Sequence, residues 1–537
     1  MKRKFVILLL LFVALAGYSQ EKECFALYTD HDLCTSGETL LIKTFAPSNE
    51  QTGMVTIDLV NSEGKIITKI NLELIDHQAD GCLYLPDSLS SGYYMLRTST
   101  RSSRSQTIKE LFIASRFTGV LELNEVLRPA KKLPTSELQI QTIRINGIMN
   151  NYKQREKGIA SIQIPDDLLQ QIEGNIHVNI ARAVPQYHGN SFIVNTKLPP
   201  DQIIEKEGII LEGIVTDLKT AQPFRNAVVY LSISDSIPVL KYYLTRDDGR
   251  FYFQIKGCYG KIPVVIQCID RINNRLLKIA LTDSETGRSG LHSFEKSTLP
   301  AELKREIAKN REAVTIRKIF NQQEIALHPA TPLKPDFYPF YGIPNTIVYP
   351  KLYTDLPDFS EISRELLPGV KFRTYNRLPS LQVVNSATHT FFNTPPLVLL
   401  DGIPVTDLNV IKNMGSVKIE RIEICTGERF FGDLIFQGVV AIYSAKPIET
   451  LLPDSDDLIK IIVEGIQPQA KLNLPPEPLS TEPDLRNTLL WEPSLKPNQT
   501  IQLNFQVSDI KGSYKVIIRG KTTEGKLFFQ EQIFEVN

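Results

Sequence analysis

Apolar positions along the chain fall mostly into short runs of five to eight residues rather than into helical periods. Met54–Val60, Ile66–Leu72, Tyr93–Thr98, Val228–Ile233 and Phe251–Ile255 mix β-branched and aromatic residues and are bounded by Gly, Pro, Asn and Asp. Such runs read as strands, and their spacing of roughly 8–12 residues with intervening turn signals reads as β-sandwiches. Ser62-Glu63-Gly64-Lys65 and Asp247-Asp248-Gly249 are tight-turn signatures, since Gly supplies a positive φ at low steric cost. Two stretches break the β pattern. Leu299–Thr315 carries Pro300 near its start and alternating charges, and Asp358–Leu367 follows a capping Asp358 or Ser360 and stops at Pro368-Gly369, so both are predicted helices. Between them Pro329, Pro332, Pro335, Pro339 and Pro344 mark an extended linker. In the stretch SVKIERIEICTG, Val417, Ile419, Ile422 and Ile424 stand apolar among charged neighbours, as in a half-buried strand.

The predicted fold class is mainly β, with several Ig-like β-sandwich domains plus one α+β domain. The divisions are a leader at 1–19, β domains at 20–116, 117–203 and 204–290, and a helix with a Pro-rich linker at 291–345. An α+β domain at 346–447, an acidic Pro-rich linker at 448–482 and a terminal β-sandwich at 483–537 follow. Trp491, the sole tryptophan, is expected as a core anchor of the last unit.

The leader reads as a secretory signal. Lys2, Arg3 and Lys4 precede the apolar run Phe5–Ala16, and small residues follow, with cleavage expected after Ser19. Twelve apolar residues are too few to span a bilayer, which takes about 20. Glu21-Lys22-Glu23 before Cys24 does not fit a lipidation signal. Export permits disulfides. Among the six cysteines, Cys24, Cys34, Cys82, Cys258, Cys268 and Cys425, the local pairs Cys24–Cys34 and Cys258–Cys268 are candidates, with buried free thiols as the equal alternative.

Charge is balanced, with 60 Lys+Arg against 60 Asp+Glu, so no global excess draws the chain to nucleic acid or an anionic membrane. The 537 residues hold no Gly-x-Ser-x-Gly elbow, no phosphate-binding glycine loop and no HExxH pair. The seven histidines are scattered, and Asp30-His31-Asp32, the one compact set of possible ligands, is expected to be a solvated loop. No catalytic residue, cofactor site or metal site is assigned. The candidate interaction loops are Asp401, Gly402, Gly427, Phe430 and Phe431: glycine turns, expected first to serve backbone geometry, and a paired aromatic beside Gly432.

Residues 395–446, PPLVLLDGIPV through GVVAIYSAK, resemble the plug domain of TonB-dependent outer-membrane receptors. Only 91 residues follow, whereas a 22-stranded barrel at roughly ten residues per strand needs more than twice that, so the plug is expected to lack its barrel. SGETLLIKTF through SSGYYMLRTST resembles a macroglobulin-type Ig-like domain, and Tyr152, Arg155 and Glu156 fit the Tyr-x-x-Arg-Glu opening of the next such domain. GIILEGIVTD through RDDGRFYFQI resembles a carboxypeptidase regulatory-like domain. The combination is similar to multidomain envelope proteins of Bacteroidota. The resemblance implies a non-enzymatic binding or scaffold role in the periplasm or at the outer membrane. Its partner would be an outer-membrane or periplasmic protein. A macroglobulin-like protease inhibitor with a bait in 329–350 or 448–482 is the first alternative. It would act without a thioester, because neither Cys34-Thr35-Ser36-Gly37-Glu38 nor Cys425-Thr426-Gly427-Glu428-Arg429 places a Gln where one is needed. A glycan- or peptide-acting hydrolase is the second.

Overall fold

A computed structural model describes residues 24–445 and 452–537, apart from 102–104, 119–124, 131–136, 185–186, 188, 196–204, 207, 235–237, 274, 283–293, 323–324, 328–337, 354, 376–377, 474 and 477–479. The leader at 1–19 and Pro329, Pro332 and Pro335 lie outside the described residues. The protein is mainly β and built on Ig-like sandwiches, as the strand periods predict. The chain divides into two compact units, each assembled from separated stretches. One takes Met1–Glu207, Glu285–Ala330 and Ile466–Asn537, and the other takes Gly208–Ser284 and Thr331–Gly465.

In the first unit, strands Ala26–Thr29, Thr39–Phe45 and Gln78–Tyr84 form one sheet of a sandwich. Ser105–Ala114, Gly92–Ser99, Met54–Val60 and Ile66–Glu73 lead the facing sheet. Leu27, Leu40, Ile42, Ile57, Leu59, Leu96 and Leu111 fill the space between them. The predicted Ser62–Lys65 turn is present, with Gly64 at φ +81° and its N–H on the Asn61 carbonyl.

The second sandwich of this unit departs from the sequence division. The stretches 117–203 and 483–537, read as two domains, fold around one core. Lys157–Gln163 pairs along seven positions with Thr500–Gln506, and Ile176–Arg182 is flanked by Thr488–Leu495 and Gly512–Lys521. Ile162, Val178, Ile180, Phe505, Val516, Ile518 and Phe534 share its interior. The reason is edge satisfaction: Ile176–Arg182 has no sheet neighbour within its own stretch, and buried backbone polar groups need partners. Arg155 adds a bidentate ion pair with Asp509, at 2.8 and 2.7 Å. Trp491 is buried against the His177 ring, 4.4 Å between centroids, and it packs with Leu41, Cys82 and Ala470 rather than in the interior of the last sandwich, where the sequence reading places it. The helix predicted over 299–315 spans Ala301–Ile319 and buries Leu303 and Ile307 against Leu33, Tyr93 and Phe112.

The second unit contains a sandwich whose sheets are Arg250–Ile255, Ile209–Asp217 and Leu277–Leu281, facing Val239–Leu244, Val228–Ile233, Lys261–Ile269 and Leu458–Glu464. Gly249 makes the predicted turn at φ +73°. Leu458–Glu464 corrects the reading of 448–482 as a linker: its apolar run LIKIIVE pairs with Lys261–Gln267 and closes the sheet.

The same unit holds an α+β body. Its five-stranded sheet runs Thr346–Val348, Ile419–Phe431, Leu434–Ser444, Leu397–Leu400, Ile403–Pro404, with Leu397–Leu400 parallel to its neighbour Leu434–Ser444. The helix Phe359–Leu366 begins at Asp358, whose carboxylate accepts the Glu361 N–H at 2.9 Å, the predicted cap. Phe359, Ile362, Phe372, Val383, Ile422, Ile424, Val440 and Ile442 form its core. Val417 leaves the predicted alternation, because it sits on a 3-10 turn at Ser416–Lys418 and is exposed.

Candidate interaction surface

Of the five loop residues singled out in the sequence, four are committed to the fold. Asp401 and Gly402 make the turn between Leu397–Leu400 and Ile403–Pro404, at φ +49° and +80°. The Asp401 carboxylate accepts the Ser444 N–H at 2.7 Å and the Ser444 hydroxyl at 2.6 Å. Half-burial pushes its pKa up, and the Ser444 bonds only partly oppose this. A Cβ on Gly402 would stand 2.1 Å from Pro238 Cβ, so the turn is packed rather than open. Gly427 lies where the register slips between Cys425 and Glu428, which is a backbone role. Phe431 stacks on Phe340 at 4.4 Å and meets Tyr242 at 5.0 Å. Phe430 points to the opposite face of the same strand, is 64% exposed, and stands across from the exposed Ile435. The pair is therefore not a loop: strand alternation buries one ring and offers the other.

A larger apolar surface lies on the segment 341–353, which the sequence reading divided between a Pro-rich linker and the start of the α+β domain. It runs antiparallel beside Ile419–Phe431. Arg429 Nε donates to the Tyr341 carbonyl at 2.8 Å, the Asn345 N–H to the Ile424 carbonyl at 2.8 Å, and the Thr426 N–H to the Asn345 side chain at 2.9 Å. Thr346–Val348 is thus the outermost strand of the sheet, with no strand on its other side among the described residues. Ile343 (67% exposed), Ile347, Tyr349, Leu352 (79%) and Tyr353 all reach solvent from this edge. Sheet edges are commonly blunted with charge or proline. Here Pro344 and Pro350 bracket the strand and Lys351 adds one exposed charge, yet Ile347, Tyr349, Leu352 and Tyr353 leave most of the exposed edge apolar. Those prolines are what disguised the segment as a linker. The signal that would have found it is the run TIVYPKLY itself.

The edge is pinned from beneath. The Tyr341 hydroxyl donates to Glu423 at 2.7 Å and lies 2.9 Å from the Tyr443 hydroxyl, and burial with these bonds raises its pKa. Arg421 Nε donates to the other Glu423 oxygen at 2.9 Å, with its guanidinium 3.5 Å from the centre of the Tyr443 ring. The segment is a fixed platform rather than a loose arm.

In the first unit, Asp30-His31-Asp32 is not the solvated loop expected. Asp30 is buried, accepting from the Thr488 hydroxyl at 2.6 Å and the Leu41 N–H at 3.0 Å, with His31 Nδ1 2.9 Å away. Burial works against the charged imidazole, but the Asp30 carboxylate, with Cys34, outweighs it and holds the His31 pKa well above its ordinary value. Asp32 pairs with Lys109 at 2.9 Å. Burial would raise its pKa, and Lys109 instead brings it down to about 2. No group of three or more metal-ligating side chains occurs among the described residues. All six cysteines are free, so neither local bridge forms. Cys34 and Cys268 are buried in sheets, Cys34 beside His31 with its thiol pushed up to about 11.

No protein-family model matches the chain, and no curated protein matches it. Among solved structures, trypsin-activated alpha-2-macroglobulin from Escherichia coli aligns over 96% of this chain and 23% of its own, at 8% identity and a TM-score of 0.16. Salmonella alpha-2-macroglobulin reacted with methylamine aligns over 96% and 39%, at 8% identity and a TM-score of 0.23. Dimeric latent PorU from Porphyromonas gingivalis aligns over 51% and 34%, at 8% identity and a TM-score of 0.16. The chain spans about a quarter to two fifths of the length of these two macroglobulins. At these scores the alignments carry no functional inference.

Proposed function

We propose that this chain is a non-enzymatic binding or scaffold protein of the bacterial cell envelope, exported across the inner membrane and working in the periplasm or at the outer membrane. Its α+β body, which resembles a TonB-receptor plug without a barrel, is the docking module. The Ig-like sandwiches, macroglobulin-type in the first unit and carboxypeptidase regulatory-like at 209–281, are the frame. The observation that carries the reading is the pinned, apolar outer strand at 343–353. Contiguous exposed apolar surface on a rigid edge is a feature of protein contact sites. The partner is a periplasmic or outer-membrane protein. Among the described residues no helix is long and apolar enough to cross a membrane.

The inhibitor alternative has less support, since one of its two bait stretches, 448–482, contains the paired strand Leu458–Glu464. The test is photo-crosslinking in the native cell from Ile347 and Leu352, with Leu378, which is also exposed, as the control position. The expected result is a discrete adduct with one envelope protein from the first two positions alone. Equal, diffuse labelling from all three positions would refute the proposal.

A further inference from the structure

The outer face of the Ile176–Arg182/Gly512–Lys521 sheet in the first unit meets the loop Thr29–Leu33, and a cavity of about 60 Å3 remains between them. Its lining is polar and unevenly charged. Lys109, Arg182, Lys515, Arg519 and the His31 imidazole face it, against Asp30 and Asp32. Both carboxylates are already engaged. Asp30 is held by Thr488, Leu41 and His31, and Asp32 by Lys109, the Gly189 N–H at 2.9 Å and the Thr29 hydroxyl at 2.6 Å. Of the cations, Arg182 is paired with Glu306 and Lys109 with Asp32, while Lys515 reaches Glu531 only at 3.7 Å. Arg519 lies over the Tyr28 ring at 4.4 Å, yet its buried Nε and Nη1 have no hydrogen-bond partner among the described residues.

Besides the His31 ring, whose nitrogens face the Asp30 and Glu38 carboxylates at 2.9 and 3.9 Å, two further orphans line the same space. The Tyr187 hydroxyl, on a residue 6% exposed, has no partner, and neither does Asn179 Oδ1, on a residue 2% exposed. The orientation of the Asn179 amide is fixed, because its Nδ2 donates to the Asp30 carbonyl at 3.1 Å. Buried polar groups without partners are rare and each calls for an occupant. Here the orphans are a guanidinium edge and a phenol, which need an acceptor, and one amide oxygen, which needs a donor. At roughly 10–15 Å3 per water the space holds on the order of four waters, about the size of one tetrahedral oxyanion.

We propose that this cavity binds one small oxyanion that still carries a proton, hydrogen phosphate: its oxygens accept from Arg519, Lys515 and the Tyr187 hydroxyl, and its O–H donates to Asn179 Oδ1. Sulfate matches the charge and size but has no proton at neutral pH, so it leaves Asn179 Oδ1 facing an oxygen. The site lies apart from the apolar edge of the second unit and is independent of the docking role proposed for it.

The test uses the full mature chain at pH 7 and constant ionic strength, titrated with sodium phosphate, sodium sulfate or sodium chloride, with melting temperature and calorimetric binding as readouts. Phosphate should raise the melting temperature saturably, and sulfate should bind roughly tenfold more weakly or worse, as expected for one unsatisfied buried acceptor. Lys515→Gln, at a largely buried position, and Arg519→Gln should each weaken phosphate binding roughly tenfold or more, as expected for a charge-assisted hydrogen bond. Phosphate acting no better than chloride, sulfate matching phosphate, or Lys515→Gln binding phosphate like the unmodified chain would each overturn the proposal.

Discussion

Arg317, near the end of the helix Ala301–Ile319, donates to the Glu38 carboxylate at 2.7 Å, and both side chains are buried. Glu38 also accepts from Asn310 Nδ2 at 3.2 Å and from the Thr35 N–H, and Asn310 in turn accepts from Asn487 at 2.6 Å. Three stretches far apart in sequence thus converge on one carboxylate. Replacing one partner leaves the other charge buried and uncompensated, which typically costs about 3–5 kcal/mol. Arg317→Met should therefore destabilise the first unit by about that much in urea unfolding, and Glu38→Gln by a comparable amount, because it leaves Arg317 uncompensated and turns one accepting oxygen into a donor among donors.

The same cluster sets a pH window. Burial would raise the Glu38 pKa, but His31 and then Arg317 hold it down to about 2, as Lys109 does for Asp32. These depressed carboxylates contribute stability above their unfolded values near ~4, and it is lost as pH falls toward 2. His31 is shifted the other way, upward. Its contribution is complete below its unfolded value of ~6.5 and is lost as pH rises through the higher folded value. The melting temperature of the first unit should fall on both sides, and His31→Asn should remove the alkaline slope together with the share of the acid slope that His31 gives Glu38, leaving the share from Asp32 and Lys109.

Thiol chemistry should follow burial. Cys34, Cys82, Cys268 and Cys425 are buried, and burial pushes the thiols of Cys82 and Cys268 up to about 12. Cys24 and Cys258 are half-buried. Iodoacetamide at neutral pH should label those two at most in the native protein and all six in denaturant, counted by mass spectrometry. Fewer than six labels in denaturant until a reductant is added would show bridges instead.

Gly402 combines a positive φ with a Cβ position 2.1 Å from Pro238. Gly402→Ala should cost more than about 1 kcal/mol in the second unit, by strain and overlap together. Chemical unfolding of that unit reads this directly.

Phe430 and Phe431 should part company. Phe431→Ala removes a ring stacked on Phe340 and should destabilise the second unit by about 1–3 kcal/mol, less than a fully buried Phe because this one is half-buried. Phe430→Ala should stay within about 0.5 kcal/mol, as should Leu352→Lys. Leu352→Lys should nonetheless abolish the crosslinked envelope adduct.

What could be read from the chain was local. The cap at Asp358, the turns at Gly64 and Gly249 and the alternation through Ile422 and Ile424 depend on neighbours within a few residues, and they stand where the pattern puts them. What could not be read depends on distant partners. Asp30 and His31 look like a polar loop until Thr488 and Glu38 enclose them. Leu458–Glu464 looks like linker until Lys261–Gln267 lies beside it. Phe430 and Phe431 are equivalent in sequence, and only the register of a strand that composition did not extend so far separates them. The five loop residues read from the sequence lie in the same α+β body as the exposed apolar edge that the prolines at 344 and 350 hid.

The shared core of the second sandwich also fixes an order of events in time. Ile176–Arg182 finds both of its sheet neighbours in 488–521, roughly 300 residues later. At synthesis rates of about 5–20 residues per second, its strands wait on the order of tens of seconds for partners, with Val178 and Ile180 uncovered. The second sandwich therefore cannot close as its first half emerges, and its apolar face waits uncovered until the last strands arrive.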